Sequence, residues 1–170
     1  LADPEFVRKA EENRADEINT CIACNQACLD HLFEGKTATC LVNPRACRET
    51  ELRIRPARAP KKIAVIGAGP AGLSCAVTAA ACGHAVHLYE AEHRIGGQLN
   101  LAVQVPGKKE FAETLRYFER QIALTGVTLH LNTRAEPAGL IEKAYDAVVL
   151  ATGVVPRVPE IEGIDLPRVV

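Results

Sequence analysis

The segment Ile66-Gly67-Ala68-Gly69-Pro70-Ala71-Gly72 narrows the choice of folds more than any other stretch of this chain. It is a G-x-G-x-x-G run, preceded by the short β-branched stretch Lys62–Ile66 and followed by the Ala- and Leu-rich stretch Pro70–Cys82. Between a strand and a helix, glycines at that spacing meet separate physical needs. Gly67 makes the tight turn, Gly69 lets a pyrophosphate approach the backbone, and Gly72 lets the helix pack close to the strand. The helix N-terminus then offers free N–H groups and a positive dipole end to phosphates. Pro70 sits where a missing N–H is no loss, and Gly83 is placed to end the helix.

The alternation continues downstream. Ala85–Tyr89, Val127–Leu131 and Ala147–Leu150 read as further strands, and Lys108–Thr125 carries Phe111, Leu115, Phe118 and Ile122 at helical spacing. This predicts the α/β class: a Rossmann-like parallel sheet, covered on both faces. Glu90 closes the second strand, where a carboxylate accepts hydrogen bonds from ribose hydroxyls. Such a unit could hold NAD, NADP or FAD, and the charge of Glu90 would repel a 2′-phosphate. The plain alternative is a glycine turn with a surface glutamate, which the strand–helix context and the carboxylate together disfavour.

With 170 residues, 48% of them hydrophobic, the chain has room for one domain and an appendage. No apolar run approaches the roughly 20 residues of a membrane span, and a net charge of −1 gives no field that would favour nucleic acid or an anionic membrane. Four regions are expected: a charged connector over 1–20, a cysteine segment over 21–47, a linker over 48–61 and a partial nucleotide-binding domain over 62–170. The connector has only Phe6, Val7 and Ala10 as an apolar stripe, so it is expected to pack on something upstream. The linker is basic, with Pro56 and Pro60, but lacks the interleaved aromatics of a nucleic-acid groove. The chain opens on Leu1 with no charged-then-apolar leader, and so reads as an internal piece of something longer.

Five of the seven cysteines (Cys21, Cys24, Cys28, Cys40 and Cys47) cluster near the front. Beside a Rossmann-type unit they point to a reducing, cytoplasmic setting, where clustered thiols bind metal or do redox chemistry rather than form disulfides. Thiolates are soft donors, which leaves iron–sulfur, zinc or a redox dithiol. Zinc sites more often show two paired knuckles, and here Cys40 stands alone. A compact trio plus one distant thiolate suits a cubane, with one thiolate per iron corner. Cys47 could replace Cys40 or be a buried thiol near the cluster. Cys75 and Cys82 share one helix face and read as core, and the five histidines carry no assigned role.

Glu92-His93-Arg94-Ile95-Gly96-Gly97-Gln98-Leu99 and Ala151-Thr152-Gly153 are similar to stretches of flavoproteins with two dinucleotide domains. With Cys21-Ile-Ala-Cys-Asn-Gln-Ala-Cys28 and Cys40-Leu-Val-Asn-Pro-Arg-Ala-Cys47, the chain resembles the flavin/iron–sulfur oxidoreductases that include bacterial NADPH-dependent 2,4-dienoyl-CoA reductase and trimethylamine dehydrogenase. The resemblance implies FAD along the glycine loop, contacted at Ala71, Glu90, Gln98 and Lys108 with Gln26 as a further contact, and close passage of the backbone at Gly97. It implies a 4Fe-4S cluster on Cys21, Cys24, Cys28 and Cys40, although some relatives hold ADP in place of FAD. It also implies partners within one polypeptide, an FMN-binding TIM barrel and an NADPH domain, both absent here, and hence no catalytic residue in this stretch. The implied route is hydride from NADPH to FAD, then single electrons through the cluster to FMN, and finally reduction of an enoyl-CoA in fatty acid β-oxidation. An amine dehydrogenase or another enone reductase is the alternative inside this class. A zinc-stabilised nucleotide-binding module without a redox role is the alternative outside it.

Overall fold

A computed structural model describes residues 1–155, 157 and 159–167; residues 156, 158 and 168–170, which fall in the expected 62–170 unit, lie outside the described residues. In chain order the elements are helix α1 (Phe6–Glu11), a 3-10 turn (Ala15–Glu17), α2 (Leu29–Phe33), strand β1 (Lys62–Ile66), α3 (Pro70–Ala81), β2 (Ala85–Tyr89), α4 (Leu99–Ala102), α5 (Phe111–Thr125), β3 (Thr128–His130), α6 (Pro137–Glu142) and β4 (Ala147–Leu150). The sheet order is β3-β2-β1-β4. Every pairing is parallel, with Ile66 opposite Tyr89 on one side and Leu150 on the other, and Tyr89 opposite His130. Parallel strands need crossovers, and the sequence supplies them as helices. No helix of the described residues is long and apolar enough to cross a membrane.

One sheet face builds the core. Val65, Val86 and Leu88 pack with Leu73 and Ala76 of α3 and Ile122 of α5, and Phe118 lies partly buried against them. Two members of the expected apolar stripe of α5, Phe118 and Ile122, thus face this core. Leu73, Leu88 and Val65 are the largest fully buried side chains. Truncating such a leucine to alanine costs about 2–5 kcal/mol, so this layer dominates the stability of the unit.

Several expectations need correction. The second long helix begins at Phe111, so Lys108 lies in the turn before it, its carbonyl accepting from Phe111 N at 3.1 Å. Pro106-Gly107 immediately upstream favours a turn there. The third strand is confined to Thr128–His130, although Val127 and Leu131 still pack on the core. Among the described residues the sheet's second face carries polar rings: strand alternation puts His87, Tyr89 and His130 there. Tyr89 OH and Tyr145 OH lie 2.7 Å apart, and Lys143 Nζ donates to Tyr89 OH at 3.0 Å. Val148 and Leu150 on β4 stay exposed.

The first 20 residues were expected to find their support outside the chain. Within the chain the 3-10 turn docks on α5, because Arg116 and Arg120 satisfy its backbone carbonyls and acidic side chains. Phe6 and Val7, the stripe behind the expectation, remain exposed.

Candidate functional site

The three loop glycines occupy three different environments. A Cβ on Gly67 would stand 2.4 Å from the Ala151 carbonyl oxygen, and one on Gly72 would stand 1.8 Å from that of Gly67. A Cβ on Gly69 would meet nothing within 4 Å. Two glycines thus close the strand–helix junction and the third leaves room for a ligand. Gly67 also has φ +104°, a conformation that side chains rarely adopt. Gly69 caps α3 and Pro70 opens it. The N–H groups of Gly69, Ala71 and Gly72 have no backbone partner among the described residues. These are free donors at a positive helix end, suited to phosphate oxygens.

The loop borders a cavity of about 500 Å³, lined by Gly67, Gly69, Ala71, Glu90, Gly97 and Gln98 among others. That volume lies in the range of small-ligand and cofactor sites. The Glu90 carboxylate is oriented by two backbone donors, Ala68 N at 2.8 Å and Glu92 N at 3.0 Å. A carboxylate has about four acceptor positions, so two remain for ribose hydroxyls. Gly96 N donates to Ala68 O at 2.7 Å, which folds the paired glycines across the loop. Gly97 (φ +51°) would place a Cβ 3.2 Å from Gly69 Cα. Gln98 Nε2 donates to Val154 O at 3.0 Å, tying the fingerprint to the Ala151-Thr152-Gly153 turn.

Thr133, Arg134 and Ala135 also line the cavity and escaped the sequence reading. They follow β3, and the rule that ligands bind beyond the carboxyl ends of parallel strands was the signal available for them. Lys108 and Gln26 are exposed and do not line the cavity. The Lys108 ammonium instead lies 5.2 Å from the centre of the Phe111 ring.

The cysteine segment is held by scattered hydrogen bonds. Thr39 N donates to Ala27 O at 2.7 Å, which draws Cys40 toward Cys28, and Cys40 forms an antiparallel bridge with Asn43. Ala23 and Asn25, on either side of Cys24, both take positive φ, and Ala23 N donates to Cys21 Sγ at 3.4 Å. Cys21 and Cys47 are exposed, and Cys24, Cys28 and Cys40 are half-buried. Among the described residues no group of three or more His, Cys, Asp or Glu side chains stands ready to hold a metal ion. The donor set itself fits a soft metal centre: four thiols, one of them already accepting an amide hydrogen bond. Cys75 packs on the core and burial pushes its thiol up, as its reading as a core residue expects.

The histidines hold one surprise. His87 Nδ1 and His130 Nε2 lie 3.0 Å apart across β2 and β3. Burial, then the charges of its neighbours, holds His87 below its ordinary value, and burial with Lys143 does the same for His130. Burial works against ionising Tyr89, but its hydrogen bonds with Lys143 and Tyr145 bring its hydroxyl down, while burial and Tyr89 push Tyr145 up.

Residues 61–169 match the family model described as pyridine nucleotide-disulphide oxidoreductase, a domain type that implies FAD or NAD(P). The chain is 43% identical over 95% of its length to a metal reductase of Desulforamulus reducens, covering 25% of that protein. It is 39% identical over 96% of its length to an NADH oxidase of Thermoanaerobacter brockii, again covering 25%. Among solved structures, a 2-naphthoyl-CoA reductase in complex with 2-naphthoyl-CoA superposes on 98% of this chain and 26% of its own, with a TM-score of 0.93 and 43% identity. The chain thus spans about a quarter of the length of these oxidoreductases.

Proposed function

The chain belongs to the pyridine nucleotide-disulphide oxidoreductase family, and from that premise we propose that it is the electron-transfer portion of a longer flavin and iron–sulfur reductase. Gly69, Ala71 and Gly72 would offer their N–H groups to the pyrophosphate of FAD, Glu90 would take its ribose hydroxyls, and Gly97 and Gln98 would close over it. Cys21, Cys24, Cys28 and Cys40 would hold a 4Fe-4S cluster. When bound, the flavin handles electron pairs and the cluster single electrons, so together they split a hydride's two electrons. The role of this chain's own residues is to bind and orient: amide donors for phosphate, a carboxylate for the ribose and thiolates for iron.

The whole protein, in this reading, takes hydride from NADPH and delivers electrons to FMN in a TIM barrel of the same polypeptide. Its substrate is the conjugated double bond of an acyl-CoA thioester, as in 2,4-dienoyl-CoA reduction. The likeness to a reductase crystallised with an aromatic acyl-CoA supports that substrate class.

The observation that carries the cofactor reading is the contrast at the loop: Gly67 and Gly72 are walled in, while Gly69 is open. Anaerobically prepared protein should contain iron and acid-labile sulfide and bind FAD in preference to NADP. Stoichiometric zinc without sulfide would replace this reading with a zinc-stabilised nucleotide binder. For the substrate, full-length protein should oxidise NADPH with a 2,4-dienoyl-CoA as the electron acceptor; oxidation of a methylated amine at the expense of an added electron acceptor, without turnover of the dienoyl-CoA, would move it among the amine dehydrogenases.

A further inference from the structure

Glu113, Arg116 and Arg120 recur along α5 at spacings that place them on neighbouring parts of one face. Arg116 uses that position fully. Its Nε donates to Glu113 Oε2 at 2.7 Å, Nη1 donates to Asp16 O, and Nη2 donates to Ile18 O at 2.8 Å and to Thr20 Oγ1 at 3.2 Å. Thr20 Oγ1 in turn donates to Glu113 Oε2 at 3.3 Å. Arg120 adds a hydrogen bond to Glu17 Oε1 at 3.3 Å and a charge contact with Asp16. Every main-chain acceptor that Arg116 holds lies in the short run leading into Cys21, and Thr20 is the residue immediately before it.

The adjacent residue of the same helix turns the other way. A Cβ on Gly96 would meet Leu115 Cδ2 at 2.8 Å, so Leu115 packs directly beneath the paired glycines that close the nucleotide cavity. Two consecutive residues of α5 therefore touch the two candidate sites, Leu115 the cofactor loop and Arg116 the approach to the first cysteine. Helix α5 is anchored in the core through Ile122 and Phe118, so it can act as a rigid spacer.

We infer that Arg116 is a positioning residue that sets the separation between the first cysteine of the metal segment and the cofactor loop, by clamping Asp16 to Thr20 onto α5. This rests on the reading of those two sites given above. The physical requirement is directional. Arginine presents its donors in a planar fork, so one side chain can bind two carbonyls, a hydroxyl and a carboxylate at fixed angles. Lysine has a single ammonium on a flexible stem and cannot hold that set together. The clamp is also only partly shielded, with the Arg116 side chain 34% exposed, so its value lies in geometry more than in stability.

The test has one readout on the metal-free chain and one on the loaded full-length protein. In the metal-free chain, Arg116→Ala should speed amide hydrogen exchange over residues 17–20 while leaving Gly67–Leu73 unchanged. In the full-length protein it should leave iron, sulfide and flavin content intact. The rate at which the cluster's paramagnetic signal grows after mixing with NADPH should fall by at least about tenfold, since small misplacements of reacting partners are costly. Arg116→Lys should fail to restore that rate, and Thr20→Val, which removes only the contact next to Cys21, should give an intermediate one. Unchanged exchange, an unchanged signal rate, or full rescue by lysine would each overturn the assignment. Loss of iron in both Arg116→Ala and Thr20→Val would overturn it too, by making the clamp an assembly element. Wild-type protein without iron would instead defeat the underlying reading of the cysteines.

Discussion

Between Lys62 and Leu150 the chain supplies its own core, with Val65, Leu73 and Leu88 fully enclosed, whereas between Cys21 and Cys47 it buries only Ile22, Ala27 and Ala46 of its apolar residues. The first region folds by burial: a parallel sheet and two helices remove a continuous apolar layer from water. The second has little to bury. Its order comes from isolated hydrogen bonds such as Thr39 N to Ala27 O and Thr39 Oγ1 to Ala46 O, and it tolerates positive φ at Ala23, Asn25 and Cys47. Strain of that kind persists where something else over-determines the backbone. The metal centre proposed for these four thiols would be such a constraint, and binding it would also supply folding energy.

Metal removal should break the comparison most visibly. Chelation under reducing conditions should abolish hydrogen-exchange protection over 21–47 and leave it in β1, α3 and β2; equal loss in both would show one cooperative unit. Next in size is Gly72→Val. Its Cβ would fall 1.8 Å from Gly67 O, so the variant should lose about 3 kcal/mol by overpacking and its FAD binding, while retaining iron. Thermal melts, flavin titration and metal analysis together check it. Glu90→Ala should act on binding alone, weakening dinucleotide affinity by roughly tenfold, the equivalent of about 1.4 kcal/mol. Calorimetric titration reads this effect, and iron content should not change.

The smallest effect concerns acid. His87 and His130 are held below the ordinary histidine value of 6.5, mainly by burial. The unfolded chain therefore takes up protons first as pH falls. The stability tied to their neutral forms is complete above about 6.5 and drains away below it, down through the depressed folded values. A melting temperature that falls more steeply from pH 7 to pH 5 in the wild type than in a His87→Gln, His130→Gln variant would fit. Parallel curves would remove the histidine pair from the account. The effect belongs to the nucleotide-binding half, so it should leave exchange over 21–47 unaltered.

Much of the first region was legible because its signals are local. All four strands, the third one residue too long at each end, α3 and the stripe of α5 follow from periodicity, and the separate roles of Gly67, Gly69 and Gly72 follow from their spacing. Lys108 and Gln26 were carried over by resemblance, and their side chains do not reach the cavity. Thr133, Arg134 and Ala135 went unseen because nothing in their own composition marks them; they line the cavity only because β3 lies beside β2. The docking of the run from Asp16 to Thr20 on α5 is illegible for a related reason: its support is a guanidinium about a hundred residues away, and no local pattern marks that.

The amino-acid order alone established which residue types stand at each turn of the chain: a phosphate-ready glycine loop, a carboxylate one strand later and a run of soft sulfur donors. Those are consequences of short-range geometry, decided within a few residues by φ, side-chain volume and helical period. Folding in three dimensions decided which of them meet. Leu115 and Arg116, adjacent in sequence, face the cofactor loop and the cysteine approach respectively, and His87 finds His130 across paired strands. Contacts of that kind depend on how sheet and helix pack, and packing is a property of residues far apart along the chain.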